Sequence, residues 1–374
     1  VLQNNGYNTF STGKWHNGTD SYARSFTDGG EIMFGGMGDH WNVEACDFDP
    51  EGNYSPNKYV PEPFASNEVK TRLCDHINAG KHSSELFCEA ARDWLQDYES
   101  NQPFFMYISF MAPHDPRTMP DRFLNKYDPE DITLPENFKE EHPFDFGVSD
   151  IRDEVLAPYP RTPSEIKRHI AEYYAMITHL DHEIGKVIDI LKEKGEYENT
   201  IIVFAGDNGL AVGRHGLLGK QNNYEHSVRV PLIFAGPGIP EGETRDYYVY
   251  LFDIFPTLCD LIDVEIPETV EGMSFQKAIQ GEEEETRDYL YFAYADKVRS
   301  VKGERYKLIK YALEDEYRHQ LFDLKEDPEE INNLYGKEEY AEIEKELEQE
   351  MMRYKQEWDD EEHPTGQIFW NSKK

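Results

Sequence analysis

Gly206-Asp207-Asn208-Gly209 sets a carboxylate and an amide oxygen side by side, directly after the apolar run TIIVFA. Both are hard oxygen donors of the kind that hold Ca²⁺ or Mg²⁺. Taken alone, Asp-Asn-Gly after a strand reads as a turn. Its surroundings change that reading. Lys220 follows within GRHGLLGKQNN, where flanking glycines let the backbone approach a ligand and the lysine supplies a compact positive charge. His215 lies in the same loop and reads equally well as a ligand contact or as a structural residue. Two further pieces come from elsewhere. APHDPR (112–117) brings His114, Asp115 and Arg117 after the apolar run PFFMYISF, with Pro113 and Pro116 stiffening the loop. NTFSTGKWHNG (8–18) brings Lys14 and His16. Two lysines, two or three histidines, one carboxylate and one amide thus issue from three strand ends. Such a set suits a doubly charged oxyanion beside a divalent cation.

Positioning these groups requires strands whose carboxyl ends face one side. In open parallel sheets ligands bind there. PFFMYISF (103–110), NTIIVFAG (199–206) and VPLIFAG (230–236) are short, almost wholly apolar runs of the kind buried on both sheet faces. Between them SSELFCEAARDWLQDY (83–98) carries Leu86, Ala90 and Trp94 on one helical face. A longer helix begins at the capping box Thr162-Pro163-Ser164-Glu165, keeps a stripe through Ile166, Ile170, Tyr174, Ile177, Leu180, Ile184, Ile188 and Leu191, and closes at Gly195. Alternating helix and strand predicts an α/β fold, a largely parallel sheet sandwiched by helices. Past residue 280 the character changes. DYLYFAYA, KVRSVKG, RYKLIKYA and HQLFDL predict a smaller C-terminal antiparallel sheet, and residues 338–358 an acidic amphipathic helix. The expected division is a catalytic α/β domain over 1–280 and an α+β subdomain over 281–374.

The formal net charge of −36 disfavours nucleic acid and anionic membrane surfaces as partners. A hydrophobic content of 38% with 13% aromatic residues marks a folded globule rather than a disordered chain. No apolar run has the length of a membrane span. Cys46, Cys74, Cys88 and Cys259 show no metal-finger spacing. Asn17-Gly18-Thr19 and Asn53-Tyr54-Ser55 match the glycosylation sequon. Val1-Leu2-Gln3-Asn4-Asn5-Gly6 reads as the last turn of a helix ending at glycine, so the chain is expected to open in mid-domain.

GYNTFSTGKWHNG, APHDP, LDHEIGKVIDILKEKGEYENTIIVFAGDNG, HGLLGKQNNYEHSVRVPLIFAGPG and LFDLKEDPEEINNL together resemble successive landmarks of the sulfatase family, within the alkaline-phosphatase-like superfamily. The resemblance runs in order through nearly the whole chain, with Gly206 where the family usually has serine. It implies a metal-assisted hydrolysis of a sulfate ester whose nucleophile is a formylglycine made from Cys-x-Pro-x-Arg or its serine variant. None of the four cysteines here stands in that pattern, so the nucleophile and an early aspartate pair are expected upstream of Val1, and residues 1–374 alone are expected to be inactive.

Carried onto this sequence, the resemblance implies Asp207 and Asn208 as ligands of a divalent metal, Ca²⁺ in the first place and Mg²⁺ in the second. Lys14 and Lys220 would bind sulfate oxygens. His114, alone or with Lys220, would protonate the departing alcohol, and His16 would take the proton that releases sulfate. His215, Asp115 and Arg117 are candidates for contact with the rest of the substrate. Trp15 is expected as a pocket wall, and Arg229 as a packing residue. A sulfated carbohydrate is the implied substrate. A formylglycine-generating or anaerobic sulfatase-maturating enzyme is the implied partner, and export or the lysosome the implied address. Competing readings are a phosphodiesterase or phosphonate monoester hydrolase of the same superfamily, and a non-catalytic protein that binds sulfated glycans.

Overall fold

Strand β1 (Asn8–Trp15) is the middle member of a three-stranded parallel sheet, between β2 (Asp28–Phe34) and β7 (Phe104–Ser109). The computed structural model describes residues 1–60, 66–282, 287–314 and 316–372. The chain divides into two compact units, one of Val1–Ile132 with Arg168–Thr200, the other of Thr133–Lys167 with Ile201–Lys374.

In the first unit a 3-10 turn over Gln3–Asn5 closes at Gly6 (φ 83°) and leads into β1. After β1 come α1 (Thr19–Ser25), β2 (Asp28–Phe34), β3 (Asn42–Ala45), β4 (Pro56–Tyr59), β5 (Lys70–Leu73) and β6 (His76–Ala79). Next are α2 (Ser83–Asp97), β7 (Phe104–Ser109) and α3 (Asp121–Leu124). Pairs β3–β6 and β4–β5 are antiparallel two-stranded ribbons. Helix α2 forms where expected, but its buried face runs through Phe87, Ala91 and Leu95, with Leu86 beside them; Ala90 and Trp94 lie at its margin. Phe10 stacks on Trp94 at 4.9 Å.

Helix α4 (Pro163–Glu193) starts at its capping residue, with the Glu165 amide donating to Thr162 Oγ1 at 3.3 Å, and ends at Gly195 (φ 74°). The expected apolar stripe holds at Ile166, Ile170 and Leu180 but not at Tyr174 and Ile177, which are exposed. Ala175, Met176, His179 and Glu183 are buried instead. Two polar residues share that face, and an apolar pattern cannot anticipate them.

The second unit contains β8 (Ile202–Ala205), α5 (Glu225–Val228), β9 (Leu232–Ala235), α6 (Ile254–Leu261) and α7 (Gln276–Gln280). Strands β8 and β9 pair antiparallel with one another, and Phe204 and Ile233 are 40% and 57% exposed. The expectation of strands buried on both faces fails here. An apolar run of four residues fixes neither the direction of pairing nor what lies on the second face.

As predicted, the C-terminal region is an antiparallel meander, β10 (Leu290–Tyr294), β11 (Val298–Lys302), β12 (Tyr306–Ala312) and β13 (Tyr317–Asp323). Helix α8 (Ala341–Glu357) buries Leu347, Met351 and Tyr354 at helical spacing against Tyr291, Val301, Leu308 and Leu321 of this sheet. A short helix not anticipated from the sequence, α9 (Pro364–Asn371), follows. The opposite face of the meander contributes Val298, Ile309, Tyr311 and Phe322 to a core with Phe146, Leu217 and Tyr224. Among the described residues no helix is long and apolar enough to cross a membrane.

Candidate functional site

In the first unit the sheet delivers its chemistry at one edge. Gly13 pairs with Ser109 of β7 at the carboxyl ends of two neighbouring parallel strands. Lys14, opposite Met33 of β2, is the next residue, and His16 follows the strand's last residue, Trp15. His114 stands five residues beyond Ser109. Lys14, His16 and His114 therefore issue from the same carboxyl edge, where parallel sheets bind ligands.

Local chain geometry explains the residue types. Gly13 has φ 94°, and a Cβ there would lie 2.0 Å from the Ser109 carbonyl oxygen, so only glycine permits the close β1–β7 approach beside Lys14. On the other side, the β1–β2 register skips Glu31 (φ 50°), a bulge that re-aims the ends of both strands. His16 is exposed, and its ring lies against Gly36 of the loop after β2. Trp15, expected as a pocket wall, is half-buried. Its indole N–H donates to the Gly18 carbonyl at 2.8 Å, and its ring packs edge-on against Tyr22 and Phe26.

The 112–118 loop is held from beneath by two buried histidines that the sequence reading passed over. His40 Nε2 donates to the His114 carbonyl at 3.0 Å, and Ser83 Oγ donates to His40 Nδ1 at 2.6 Å. His82 Nε2 donates to the Thr118 carbonyl at 2.8 Å while its Nδ1 accepts the Ser84 amide as the cap of α2. A carbonyl only accepts, so both rings are Nε2–H tautomers. They stack at 4.9 Å with planes 5° apart. Burial pushes His82 down to about 3, with the neighbouring His40 and His179 rings adding to the effect, and it lowers His40 in the same sense. Within the loop, His114 Nδ1 lies 3.1 Å from an Asp115 carboxylate oxygen, and Asp115 is 6% exposed. Arg117 Nη1 donates to His169 Nδ1 at 2.5 Å. Asp115 and Arg117 thus have partners inside the unit.

In the second unit Asp207 and Asn208 follow β8 directly. Asp207 is exposed and one of its carboxylate oxygens accepts the Asn208 amide at 2.9 Å. Gly209 is glycine of necessity, since a Cβ would fall 1.8 Å from the His226 carbonyl oxygen. A carboxylate and an amide at a strand end suit a hard cation and provide part of the six to eight oxygen ligands that Ca²⁺ takes.

Lys220 closes a doubled-back segment pinned by backbone bonds from Ala211, Val212 and Gly213 to Gly219, Leu218 and Leu217. The Glu154 carboxylate anchors that segment. It accepts the Leu218 and Gly219 amides at 2.9 and 2.8 Å and the Arg161 guanidinium at 2.7 Å, with both charged side chains essentially inaccessible. Nothing in the spacing of Glu154 and Arg161 marks them as the support of Lys220. His215 is 2% exposed, stacked on Tyr224 at 3.9 Å and 7°, with Asn137 Nδ2 donating to its Nε2 at 3.2 Å. Burial, reinforced by His142 and nearby cations, pushes it down to about 3.

All four cysteines are free and buried. Burial pushes the Cys46 and Cys88 thiols up to about 12 and raises Cys74 and Cys259 in the same direction. Thiols held in that form are poor nucleophiles.

Comparison with known proteins adds an independent line. A family model described as Sulfatase matches residues 1–264, and one described as N-sulphoglucosamine sulphohydrolase, C-terminal, matches residues 213–357. An arylsulfatase of Clostridium perfringens is 31% identical over an alignment covering 70% of this chain and 55% of the relative. An N-acetylglucosamine-6-O-sulfatase of Bacteroides thetaiotaomicron is 26% identical over 93% of this chain and 70% of the relative. The chain thus spans little more than half to about 70% of the length of these two relatives. The solved structure of BT4656 in complex with its substrate D-glucosamine-2-N,6-O-disulfate is similar in fold, with a TM-score of 0.70 and 22% identity over 96% of this chain and 81% of that one.

Proposed function

Since this chain belongs to the sulfatase family, we propose that it works in the hydrolysis of a sulfate ester on a sulfated carbohydrate. The observation that carries the reading is the issue of Lys14, His16 and His114 from one carboxyl edge of a parallel sheet. Relatives named for sulfated glucosamines direct the choice of substrate class.

In this reading Lys14 and Lys220 bind sulfate oxygens and offset their charge. Asp207 and Asn208 hold a divalent cation, Ca²⁺ before Mg²⁺, which when bound polarises those oxygens. His114, its imidazole oriented through Nδ1 by Asp115, gives a proton to the departing sugar oxygen, alone or with Lys220. His16, exposed at the end of β1, takes up the proton that accompanies sulfate release. Proton transfers of this kind are worth about 10²–10⁴-fold each. His215 keeps a structural role beneath the Lys220 loop, and Asp115 and Arg117 shape the substrate side of the His114 loop. The catalytic domain is taken as residues 1–280 and the C-terminal subdomain as residues 281–374.

We place the nucleophile outside residues 1–374, as a formylglycine installed by a maturating enzyme in a protein that is exported or lysosomal. That residue would supply the nucleophile for the sulfate ester. Two facts support its placement: no cysteine here stands in Cys-x-Pro-x-Arg, and all four thiols are buried. The test is release of inorganic sulfate from glucosamine 6-sulfate and from an aryl sulfate, using protein expressed with its upstream coding sequence. Sulfate release that drops on His114→Ala is expected. Faster cleavage of an aryl phosphodiester would favour phosphoryl chemistry. Glycan binding without any turnover would leave a non-catalytic binder.

A further inference from the structure

Asparagine followed by glycine occurs three times in the sequence, at Asn5-Gly6, Asn17-Gly18 and Asn208-Gly209. In such a pair the glycine nitrogen, unhindered by a Cβ on its own residue, can attack the carbonyl carbon of the asparagine side chain. The attack requires that N–H to be unengaged and the side chain to be able to swing onto it. The structure separates the three pairs on this point.

The Gly6 amide donates to the Gln3 carbonyl at 3.1 Å, and Asn5 Nδ2 donates to the Val1 carbonyl at 3.0 Å. The Gly209 amide donates to the Ser227 carbonyl at 3.0 Å, in packing so close that a Cβ on Gly209 would lie 1.8 Å from the His226 carbonyl oxygen. Asn17 and Gly18 differ. Both are exposed, and a Cβ on Gly18 would meet open space. Their bonds run through carbonyl oxygens instead. The Gly18 carbonyl accepts the Trp15 indole N–H at 2.8 Å and Ser21 Oγ at 2.9 Å, and the Asn17 carbonyl also accepts Ser21 Oγ. Among the described residues neither the Gly18 N–H nor the Asn17 carboxamide meets a hydrogen-bond partner.

We propose that Asn17-Gly18 is a self-modification site that deamidates spontaneously in the folded protein. The Gly18 nitrogen bonds to the Asn17 side-chain carbonyl carbon, its proton passes through water to the amide nitrogen, and ammonia departs to leave a cyclic imide. Water opens the imide at either carbonyl, giving aspartate or isoaspartate at position 17. Neither oxidant nor cofactor takes part. Both products place a carboxylate beside His16. Isoaspartate also adds a methylene to the backbone between His16 and the Gly18 carbonyl that holds Trp15, which displaces the end of β1. A resulting loss of sulfate release rests on the proposed function; the modification itself does not.

Residues 1–374 are held at neutral pH, folded and in guanidinium chloride, and their peptides are followed by mass spectrometry for exchange of the amide –NH₂ for –OH. In the folded protein Asn17 is expected to convert first and Asn208 about tenfold or more slowly, its glycine amide being bonded and enclosed. Asn5, in a terminal turn that frays, is expected between them. In guanidinium chloride the three rates are expected to converge, since only the shared dipeptide remains. Folded Asn17 no faster than folded Asn208, or the same ratio of rates in both states, overturns the proposal. The Trp15 indole N–H resonance is expected to shift in the isoaspartate form, and an unmoved resonance overturns the displacement. In the full-length protein sulfate release is expected to fall in step with conversion, while Asn17→Gln keeps its rate over the same incubation; a rate indifferent to conversion removes the link to His16. Conversion at Asn17 in a protein that never releases sulfate keeps the modification and loses the sulfatase reading.

Discussion

Glu154→Ala removes the carboxylate that links the Lys220 segment to a buried cation. Its oxygens accept from Arg161, from the amides of Leu218 and Gly219, and from the Tyr159 hydroxyl at 3.2 Å. Arg161 is 1% exposed, so the substitution leaves an uncompensated buried charge and two backbone donors without their acceptor. Removing one member of a buried pair costs about 3–5 kcal/mol. For a unit of this size each kcal/mol lowers the midpoint by about 2–4 °C, giving a fall of roughly 6–20 °C. The assay is thermal unfolding followed by circular dichroism, run on Glu154→Ala and on the double variant Glu154→Ala with Arg161→Met. The double variant lacks the stranded charge but keeps the two orphaned amides, each worth about 1–3 kcal/mol. It is expected to recover part of the loss and not all of it. A single variant that melts with the parent, or a double variant less stable than the single, would refute the role given to this pair.

The remaining predictions concern other links. Gly13→Ala is expected to unpair β1 from β7, given the 2.0 Å approach to Ser109; amide exchange at 104–109 should rise, and protection equal to the parent would contradict it. Stability should fall with acid. His215 and His142, pushed down by burial to about 3 and about 4, are neutral when folded and have unfolded values near 6.5, so their contribution is complete above about pH 6.5 and is lost as the pH falls toward the folded values, by up to about 1.4 kcal/mol per pH unit per ring. Melting temperatures constant from about pH 7 to about pH 5 would contradict this. A thiol reagent should label no cysteine in the native protein and all four after unfolding, since all are buried; rapid native labelling would reopen the search for a nucleophile within the chain. Lys14→Ala and Lys220→Ala should each weaken inhibition by inorganic sulfate by about tenfold or more, charge-assisted contacts being worth about 1.5–3 kcal/mol; unchanged inhibition would remove them from the sulfate site.

Much of this architecture was legible where a local signal sufficed. The helix start at Thr162, the glycine stop at Gly195 and the four short C-terminal strands follow from neighbouring residues, and the structure contains them. The strand-end positions of His114 and Asp207 follow from apolar runs that stop shortly before them. What escaped depends on distant partners. His40 and His82 are ordinary histidines until the fold sets them under the carbonyls of His114 and Thr118. Glu154 and Arg161 gain their meaning from amides more than fifty residues away in the chain. Apolar periodicity also misjudged α4, because His179 and Glu183 occupy the buried face while Tyr174 and Ile177 do not. For β8 and β9 the composition identified strands but carried no information on direction.

The most direct measurement is a crystal structure of the full-length protein grown with Ca²⁺ and glucosamine 6-sulfate. The expected density has the sulfate within hydrogen-bond reach of the Lys14 and Lys220 ammonium groups, and a cation on Asp207 and Asn208. A sulfate bound elsewhere, with Lys14 and Lys220 turned away from Asp207, would contradict the proposed chemistry.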